Sequence, residues 1–285
     1  MLQFTVISPL QSVISHFVAI QASVTSIIYF LALFQFDTLN TMSRDVLIYT
    51  GNIIPMNEPK TKASQNPTDE LVETLKIVLR DNEGDGGSPV VIKGKEDTSL
   101  QEVDKKDIKI TVKAFLSSPK VELLKQAVDQ VCNALHTDAI ESFVFAYSSK
   151  DNTEDLLTSL KCLWTGVEEY VKIGKLSSVG LSDISTNEFI DLYQWANIKP
   201  NIIQISLATC CVVPPALQAF TKENEIQLLT HSDPGQILPQ EELKGIFGTD
   251  VLLHWVTRYQ IHLKCRGILS SKGYSIYLTK LNTDS

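Results

Sequence analysis

The sequence predicts an α/β fold, a (β/α)8 TIM barrel over residues 42–285 that follows an apolar N-terminal segment. From Met42 onward, short apolar runs alternate with helical patterns, which is typical of βαβ units around a parallel sheet. The chain has 285 residues, of which 44% are hydrophobic, so it can bury one large core. Barrels of this kind often reach that size as a single domain.

Seven apolar runs rich in β-branched residues predict strands, and Val90–Ile92 is a weaker eighth. Ile202–Ser206 has the composition expected of a parallel strand that is buried on both faces. The count favours an eight-stranded barrel over an open sheet. The seven predicted strands are Val46–Tyr49, Ile108–Leu116, Ser142–Ala146, Val179–Ser182, Ile202–Ser206, Gln227–Thr230 and Ile261–Lys264.

Capping residues and prolines mark the starts of helices between these strands. A further amphipathic helix ends just before Pro200, because Phe189, Leu192 and Trp195 share one face. Residues 80–107 are turn-rich and charged, which predicts a loop, and Gly84–Gly87 lacks the Gly-Lys-Ser/Thr ending of a phosphate-binding loop. The other predicted helices are Asp69–Arg80, Val121–Leu135, Leu156–Lys172 and Ala216–Lys222.

The N-terminal segment has an unusual composition, because Met1–Phe36 contains no Asp, Glu, Lys or Arg. Phe17–Phe36 is long enough to span a bilayer, but the positive start of a secretory signal is missing. Residues 1–41 are therefore either a membrane anchor or a gene-model artefact ahead of a true start at Met42. We favour the second interpretation, and we expect a membrane association only if residues 1–36 are a genuine anchor.

Charge and cysteine content exclude several classes of function. The formal net charge is −8, and Lys and Arg are interspersed with Asp and Glu, which argues against a nucleic-acid-binding surface. The five cysteines are an odd number and include no Cys-x-x-Cys pair. We therefore expect reduced thiols, a cytoplasmic protein and no metal site.

Several sequence blocks are distinctive of one family. Residues 42–285 resemble the modifier (regulatory) subunits of glutamate-cysteine ligase, which share the aldo-keto reductase barrel, and Met1–Thr41 has no counterpart in that resemblance. The blocks Thr50–Pro55 and Val112–Phe115 agree more weakly than those in the C-terminal half. The most specific blocks are LYQWANIKPNIIQISLATCCVVPP (Leu192–Pro215), IQLLTHSDP (Ile226–Pro234), RGILSSKGY (Arg266–Tyr274) and SVGLSD (Ser178–Asp183).

The resemblance has consequences for catalysis, because active aldo-keto reductases use Asp, Tyr, Lys and His, with Tyr as the proton donor. Lys113 stands at the position of the lysine, whereas Ala146 stands where the histidine ends the fourth strand. The proton donor belongs after the second strand, yet no tyrosine lies between Tyr49 and Tyr147. Lys113 is then a remnant, either a salt-bridge partner or a ligand contact.

The resemblance implies a non-catalytic subunit that binds the catalytic subunit of glutamate-cysteine ligase as a heterodimer. It would improve the use of glutamate and relieve feedback inhibition by glutathione. No cofactor is required, although vestigial NADPH binding at a helix start near Ser270–Lys272 is compatible with the sequence. The alternative is an active NADPH-dependent aldo-keto oxidoreductase with Tyr147 as a relocated proton donor.

Cysteines and aromatic residues are the candidates for contact with a partner. Cys210 and Cys211 follow a strand, at the barrel face where binding groups collect, and adjacent cysteines suit neither one zinc ion nor a relaxed disulfide. They are either buried packing thiols or partner contacts able to form a mixed disulfide, and Cys265 is a similar candidate. Trp195, Tyr193 and Arg266 are candidate anchors, although the helical spacing of Trp195 favours a core position for it.

His231, in the block THSDP, is expected to make local hydrogen bonds with Ser232 or Asp233 at the end of a strand. No Gly-x-Ser-x-Gly motif supplies a hydrolase nucleophile for it. Asp183, or Ser182 beside it, is expected to cap the helix that follows.

Overall fold

The computed structural model describes residues 43–56, 66–82, 89–95, 103–147, 155–206 and 212–281. The sheet and helices lie in the compact unit Arg44–Ser285, and the first strand begins one residue earlier, at Ser43. Within the described ranges, no helix is long and apolar enough to cross a membrane. The predicted segment 1–41, the turn Gly84–Gly87 and the pair Cys210 and Cys211 lie outside them.

Nine strands form one sheet, in the order β2-β1-β9-β8-β3-β4-β5-β6-β7. Strands β3 to β7 pair with one another in parallel, as the alternation of strands and helices predicted, so the α/β class is confirmed. The strands are β1 (Ser43–Tyr49), β2 (Val90–Lys93), β3 (Ile108–Leu116), β4 (Ile140–Tyr147), β5 (Leu176–Ser182), β6 (Ile202–Ser206), β7 (Gln227–His231), β8 (Val251–Leu263) and β9 (Ile268–Leu281).

A long antiparallel hairpin distinguishes this sheet from a simple eight-stranded barrel. Strands β8 and β9 pair with each other, and β8 also pairs antiparallel with β3. The predicted strand Ile261–Lys264 is only the end of the 13-residue β8. The helix start expected near Ser270–Lys272 is wrong, because these residues lie in β9, where Lys272 pairs with Gln260. They offer no helix N-terminus to the phosphates of a dinucleotide.

Six helices accompany the described part of the sheet. The predicted ones are present, but the helix expected to end just before Pro200 ends at Trp195. At the first, the N-cap is Asn66, whose side chain accepts from the backbone of Thr68 and Asp69. The sixth helix was not predicted, and Leu243 is its only buried residue. The helices are α1 (Pro67–Asp81), α2 (Val121–Ala134), α3 (Leu156–Lys172), α4 (Thr186–Trp195), α5 (Pro215–Glu223) and α6 (Gln240–Phe247).

Both faces of the sheet are buried, by two separate sets of helices. Helices α2 to α5 contribute to one apolar cluster, through residues such as Val128, Leu163 and Phe189. Helices α1 and α6 contribute to the other, through residues such as Leu75 and Leu243. In β1, alternate residues belong to different clusters, as the two-residue period of a strand requires. The apolar residues of β1 are Val46 and Ile48 on the α1 face and Leu47 and Tyr49 on the α2 face.

Candidate functional site

A buried cluster of charged side chains lies where the ends of β5 and β7 approach the middle of β3 and β8. Lys113 of β3 donates from Nζ to Ser182 Oγ at 2.8 Å and to Asp233 Oδ2 at 2.9 Å. The side chains of Lys113 and Asp233 are only 5% and 2% exposed. Lys113, for which the sequence left two roles open, therefore forms a buried ion pair. Burial lowers the pKa of Lys113 despite the opposing charge of Asp233.

Asp233 is the centre of this cluster. Arg258 of β8 binds it in a bidentate manner, with Nη1 to Oδ1 at 2.5 Å and Nη2 to Oδ2 at 2.9 Å. Burial alone would raise the pKa of Asp233, but the hydrogen bonds and charge of Arg258, together with Lys113, hold that pKa well below its ordinary value. Asp233 is therefore a permanent anion that neutralises two buried cations.

His231 links Asp233 to a second carboxylate. Its Nδ1 accepts from the backbone N–H of Asp233 at 3.0 Å, so in this geometry the ring proton lies on Nε2. Nε2 lies 3.0 Å from Asp183 Oδ1 and can donate to it. The local hydrogen bonding predicted for His231 is thus present, and a partner 48 residues away adds to it.

Asp183 is held by several donors at the end of β5. It accepts from Ser182 Oγ at 2.8 Å and from the backbone N–H of Ser206 at 3.0 Å, and its φ of +62° is in the left-handed region. Burial opposes its ionisation, but His231 and Lys113 outweigh that effect and lower the pKa of Asp183. The expected capping role is wrong, because Ser185 caps α4 in a capping box with Glu188.

A cavity of about 890 Å³ opens beside the cluster. Asp183, with 34% of its side chain exposed, is the least buried of the charged groups, and Ala146 and Tyr147 also line the cavity. Among the residues that the structure describes, no cluster of His, Cys, Asp and Glu is arranged to hold a metal ion. The cluster presents a fixed, internally neutralised set of charges to the cavity.

Sequence reasoning did not single out Arg258 and noted Asp233 only as a neighbour of His231. A signal was present for Arg258, since it is the single cation in the alternating apolar run WVTRYQI. A lone charge in a buried strand requires a counter-charge. Nothing local indicates which carboxylate supplies it.

The two lowered carboxylate pKa values predict that the protein loses stability in acid. Unfolded Asp titrates near pH 3.9, whereas folded Asp183 and Asp233 titrate lower, so the unfolded state binds more protons in this range. Stability should be complete above about pH 5 and fall progressively below it. Urea unfolding midpoints measured across this range test the effect, and Asp183→Asn should flatten the curve. An acid limb of equal steepness in wild type and variant would contradict the assignment.

Three described cysteines differ in accessibility. Cys132 is buried, and burial raises the pKa of its thiol, while Cys162 and Cys265 are exposed. We expect iodoacetamide to alkylate Cys162 and Cys265 in the native protein at least about tenfold faster than Cys132, because the reactive thiolate must be formed and reached. Peptide mass spectrometry over a time course measures the three rates. Denatured protein, in which they should converge, is the control.

Two of the candidate anchors for a partner, Trp195 and Arg266, lie at the end of the sheet where the parallel strands begin. Trp195 is 42% exposed at the end of α4, with Lys161 Nζ 5.6 Å from its ring, so a core position is excluded. Tyr193 instead packs edge-on against Phe220. Arg266 is exposed in the turn between β8 and β9.

Backbone contacts place these residues near the starts of the parallel strands. The turn between β8 and β9 is held at the start of β3 by the Lys264 N–H, which donates to the Asp107 carbonyl at 2.8 Å. Helices α3 and α4 end just before β5 and β6 begin. We name the exposed residues here the strand-start surface. They are Ile173, Trp195, Cys265, Arg266 and Ile268.

Comparison with known proteins separates two groups of relatives. No protein-family model matches the chain. It is 31% identical to the glutamate–cysteine ligase regulatory subunit of Mus musculus in an alignment 248 residues long, which covers 80% of this chain and 90% of that protein. The Homo sapiens protein of the same name is 30% identical over 251 residues, 81% and 92% of the two chains. The solved aldose reductase of Giardia lamblia is 18% identical, with a TM-score of 0.37, over 60% of this chain and 54% of that one.

Proposed function

The chain belongs to the glutamate–cysteine ligase regulatory subunits, and from this membership we propose that it binds the catalytic subunit of that ligase and adjusts its activity. The observation that carries the proposal is the 31% identity over 90% of a protein with that name. A regulatory role in glutathione biosynthesis follows. We further propose that binding improves the use of glutamate and relieves inhibition by glutathione, which requires tighter binding to one conformation of the partner, with a coupling of about 1 to 3 kcal/mol.

We also propose that the chain does not reduce carbonyl compounds. Lys113 hydrogen-bonds to Asp233 and Ser182, and burial lowers its pKa. These contacts support a structural use of the residue that stands at the lysine position of a reductase. Ala146, which stands where the histidine would be, lines the cavity without a polar group. The competing oxidoreductase hypothesis depends on Tyr147, which lines the same cavity.

The strand-start surface is our proposed contact with the catalytic subunit. It combines an exposed tryptophan, an exposed arginine and exposed aliphatic side chains, with Ile173 65% and Ile268 50% exposed. Trp and Arg are enriched among the residues that dominate interface energies. Cys265 on this surface is accessible for a mixed disulfide, as proposed for Cys210 and Cys211, which lie outside the described residues.

The test is steady-state synthesis of γ-glutamylcysteine by the cognate catalytic subunit, with and without the full chain, across glutamate and glutathione concentrations. We expect a lower apparent glutamate requirement and weaker inhibition by glutathione, each by about 5- to 100-fold. A folded chain that leaves both parameters unchanged would refute the regulatory role. Consumption of NADPH that depends on an added aldehyde would instead support the oxidoreductase.

A pair of matched variants tests the surface. Ile268→Glu places a charge on the strand-start surface and should weaken association by at least about tenfold, since a buried, unpaired charge is costly at an interface. Leu252→Glu is the control: Leu252 is 48% exposed on the same hairpin, but at the opposite end of it. Analytical ultracentrifugation of the mixed subunits measures both. Equal effects of the two substitutions would count against this surface while leaving the regulatory role intact.

A further inference from the structure

A second cavity, of about 590 Å³, lies on the α2 face of the sheet and shares no described lining residue with the first. Strands β1, β2, β3, β8 and β9 form its floor, and the last turn of α2 forms a wall. Much of the floor is aliphatic, and its lining residues include Leu47, Val91, Ile110 and Ile261. This volume is typical of a site for a small molecule.

Two hydroxyl groups in the floor lack partners. Ser271 and Ser275 of β9 line the cavity and are only 1% and 2% exposed. Of the three buried side-chain polar atoms without a hydrogen bond among the described residues, these hydroxyls are two. Leaving a buried hydroxyl unpaired costs about 1 to 3 kcal/mol, so a ligand acceptor that reaches these two hydroxyls from the cavity would gain binding energy.

The rim of the cavity favours an anion. Lys93 and Lys105 line it together with His136, and none of the described lining residues is acidic. The Lys105 ammonium also donates to the His136 carbonyl at 2.8 Å, whereas Lys93 is exposed at the end of β2. The positive rim contrasts with the net charge of −8 for the whole chain.

The distance between rim and hydroxyls sets the length of the ligand. Lys93 pairs with Tyr49 of β1, and the next residue, Thr50, donates its N–H to the Tyr274 carbonyl of β9. Lys93 and Ser275 therefore lie two strands apart, about 10 Å. A molecule of two or three fused rings covers that span when it carries an acceptor at one end and an acid at the other.

We propose that this cavity binds a small, flat, largely apolar carboxylate with a hydrogen-bond acceptor at its buried end. The serine hydroxyls donate to the acceptor, the aliphatic floor contacts the rings, and Lys93 binds the carboxylate. This cavity would allow the protein to bind a small molecule. No residue of the charged cluster around Asp233 takes part in that binding.

Two probes that differ only by a carbonyl at the end opposite the acid test the proposal: 6-acetyl-2-naphthoate and 6-ethyl-2-naphthoate, titrated calorimetrically into the full chain. We expect one site, with the ketone bound about tenfold more tightly, as one good hydrogen bond provides. The double variant S271A/S275A should remove this preference and leave the affinity for 6-ethyl-2-naphthoate unchanged. A purely structural role of the two serines would leave the preference intact.

Variants of the cavity wall and rim complete the test. Ala134→Trp on α2 fills the cavity and should weaken both probes by at least about tenfold, while Ala219→Trp, which adds the same ring to an exposed position of α5, should not. Lys93→Glu reverses the rim charge at an exposed site without disturbing the fold. The proposal is overturned if neither probe binds below about 1 mM, if the ketone has no advantage, or if Ala134→Trp and Lys93→Glu both leave binding unchanged.

Discussion

Replacing Asp233 by asparagine is expected to lower the free energy of unfolding by about 3 to 5 kcal/mol. The substitution keeps the shape of the side chain but removes the charge that neutralises Lys113 and Arg258. Both cations would then remain buried without adequate compensation, since Asp183 lies 3.8 Å from Lys113 and is itself partly exposed. Urea unfolding at neutral pH, followed by circular dichroism, measures the loss.

Two further variants separate charge from packing at this position. Asp183→Asn should lower the free energy of unfolding by only about 1 kcal/mol, because that carboxylate is 34% exposed. The ring of its partner His231 would keep the hydrogen bond that it accepts from the backbone N–H of Asp233. Adding Lys113→Met to Asp233→Asn should restore part of the loss, since one unpaired cation is removed. A double variant that is less stable than Asp233→Asn alone would show that uncompensated charge is not the cause.

Gly180→Ala is expected to destabilise the protein by about 3 kcal/mol, at the upper end of what overpacking costs. A Cβ atom on Gly180 would lie 2.0 Å from the Ile202 carbonyl oxygen, which is backbone and cannot rotate away. Strand β5 would have to separate from β6. That movement would lengthen the hydrogen bond of 3.0 Å that Asp183 Oδ1 accepts from the backbone N–H of Ser206. Thermal and urea unfolding of the variant measure the cost.

Gly235→Ala is the matched control, because no atom lies within 4 Å of the Cβ that it would gain. Its stability should stay within about 0.5 kcal/mol of the wild type. If Gly180→Ala were equally neutral, the close approach of β5 and β6 would not be a feature of the folded protein.

The functional resemblance was accessible from the sequence because it depends on local blocks. The segment that ends α4 and enters β6 carries the helix-stopping proline and the buried strand within one short stretch. The regulatory-subunit relatives then match over about nine-tenths of their length. By contrast, the exposure of Trp195 contradicted its position on the apolar face of α4, since a helix end can project past the core that the rest of the helix contacts.

The charged cluster shows what local reasoning misses. Lys113 could be identified by its place in the third predicted strand, and its two possible roles stated. Its partner Asp233 is 120 residues away and is shared with Arg258 of β8. The choice among the 33 acidic residues of the chain depends on how the strands are ordered in the sheet.

By itself, the sequence determined the α/β class, five of the six described helices and the parallel series from β3 to β7, because caps, prolines and apolar periods act over a few neighbouring residues. Only the tertiary structure decided that β8 and β9 enter the sheet between β1 and β3, that Asp233 neutralises two cations, and that Ser271 and Ser275 face a cavity without partners. Strand pairing joins residues far apart in the chain. The free energy that selects one pairing comes from burial and hydrogen bonds that form only when those distant segments meet in the folded protein.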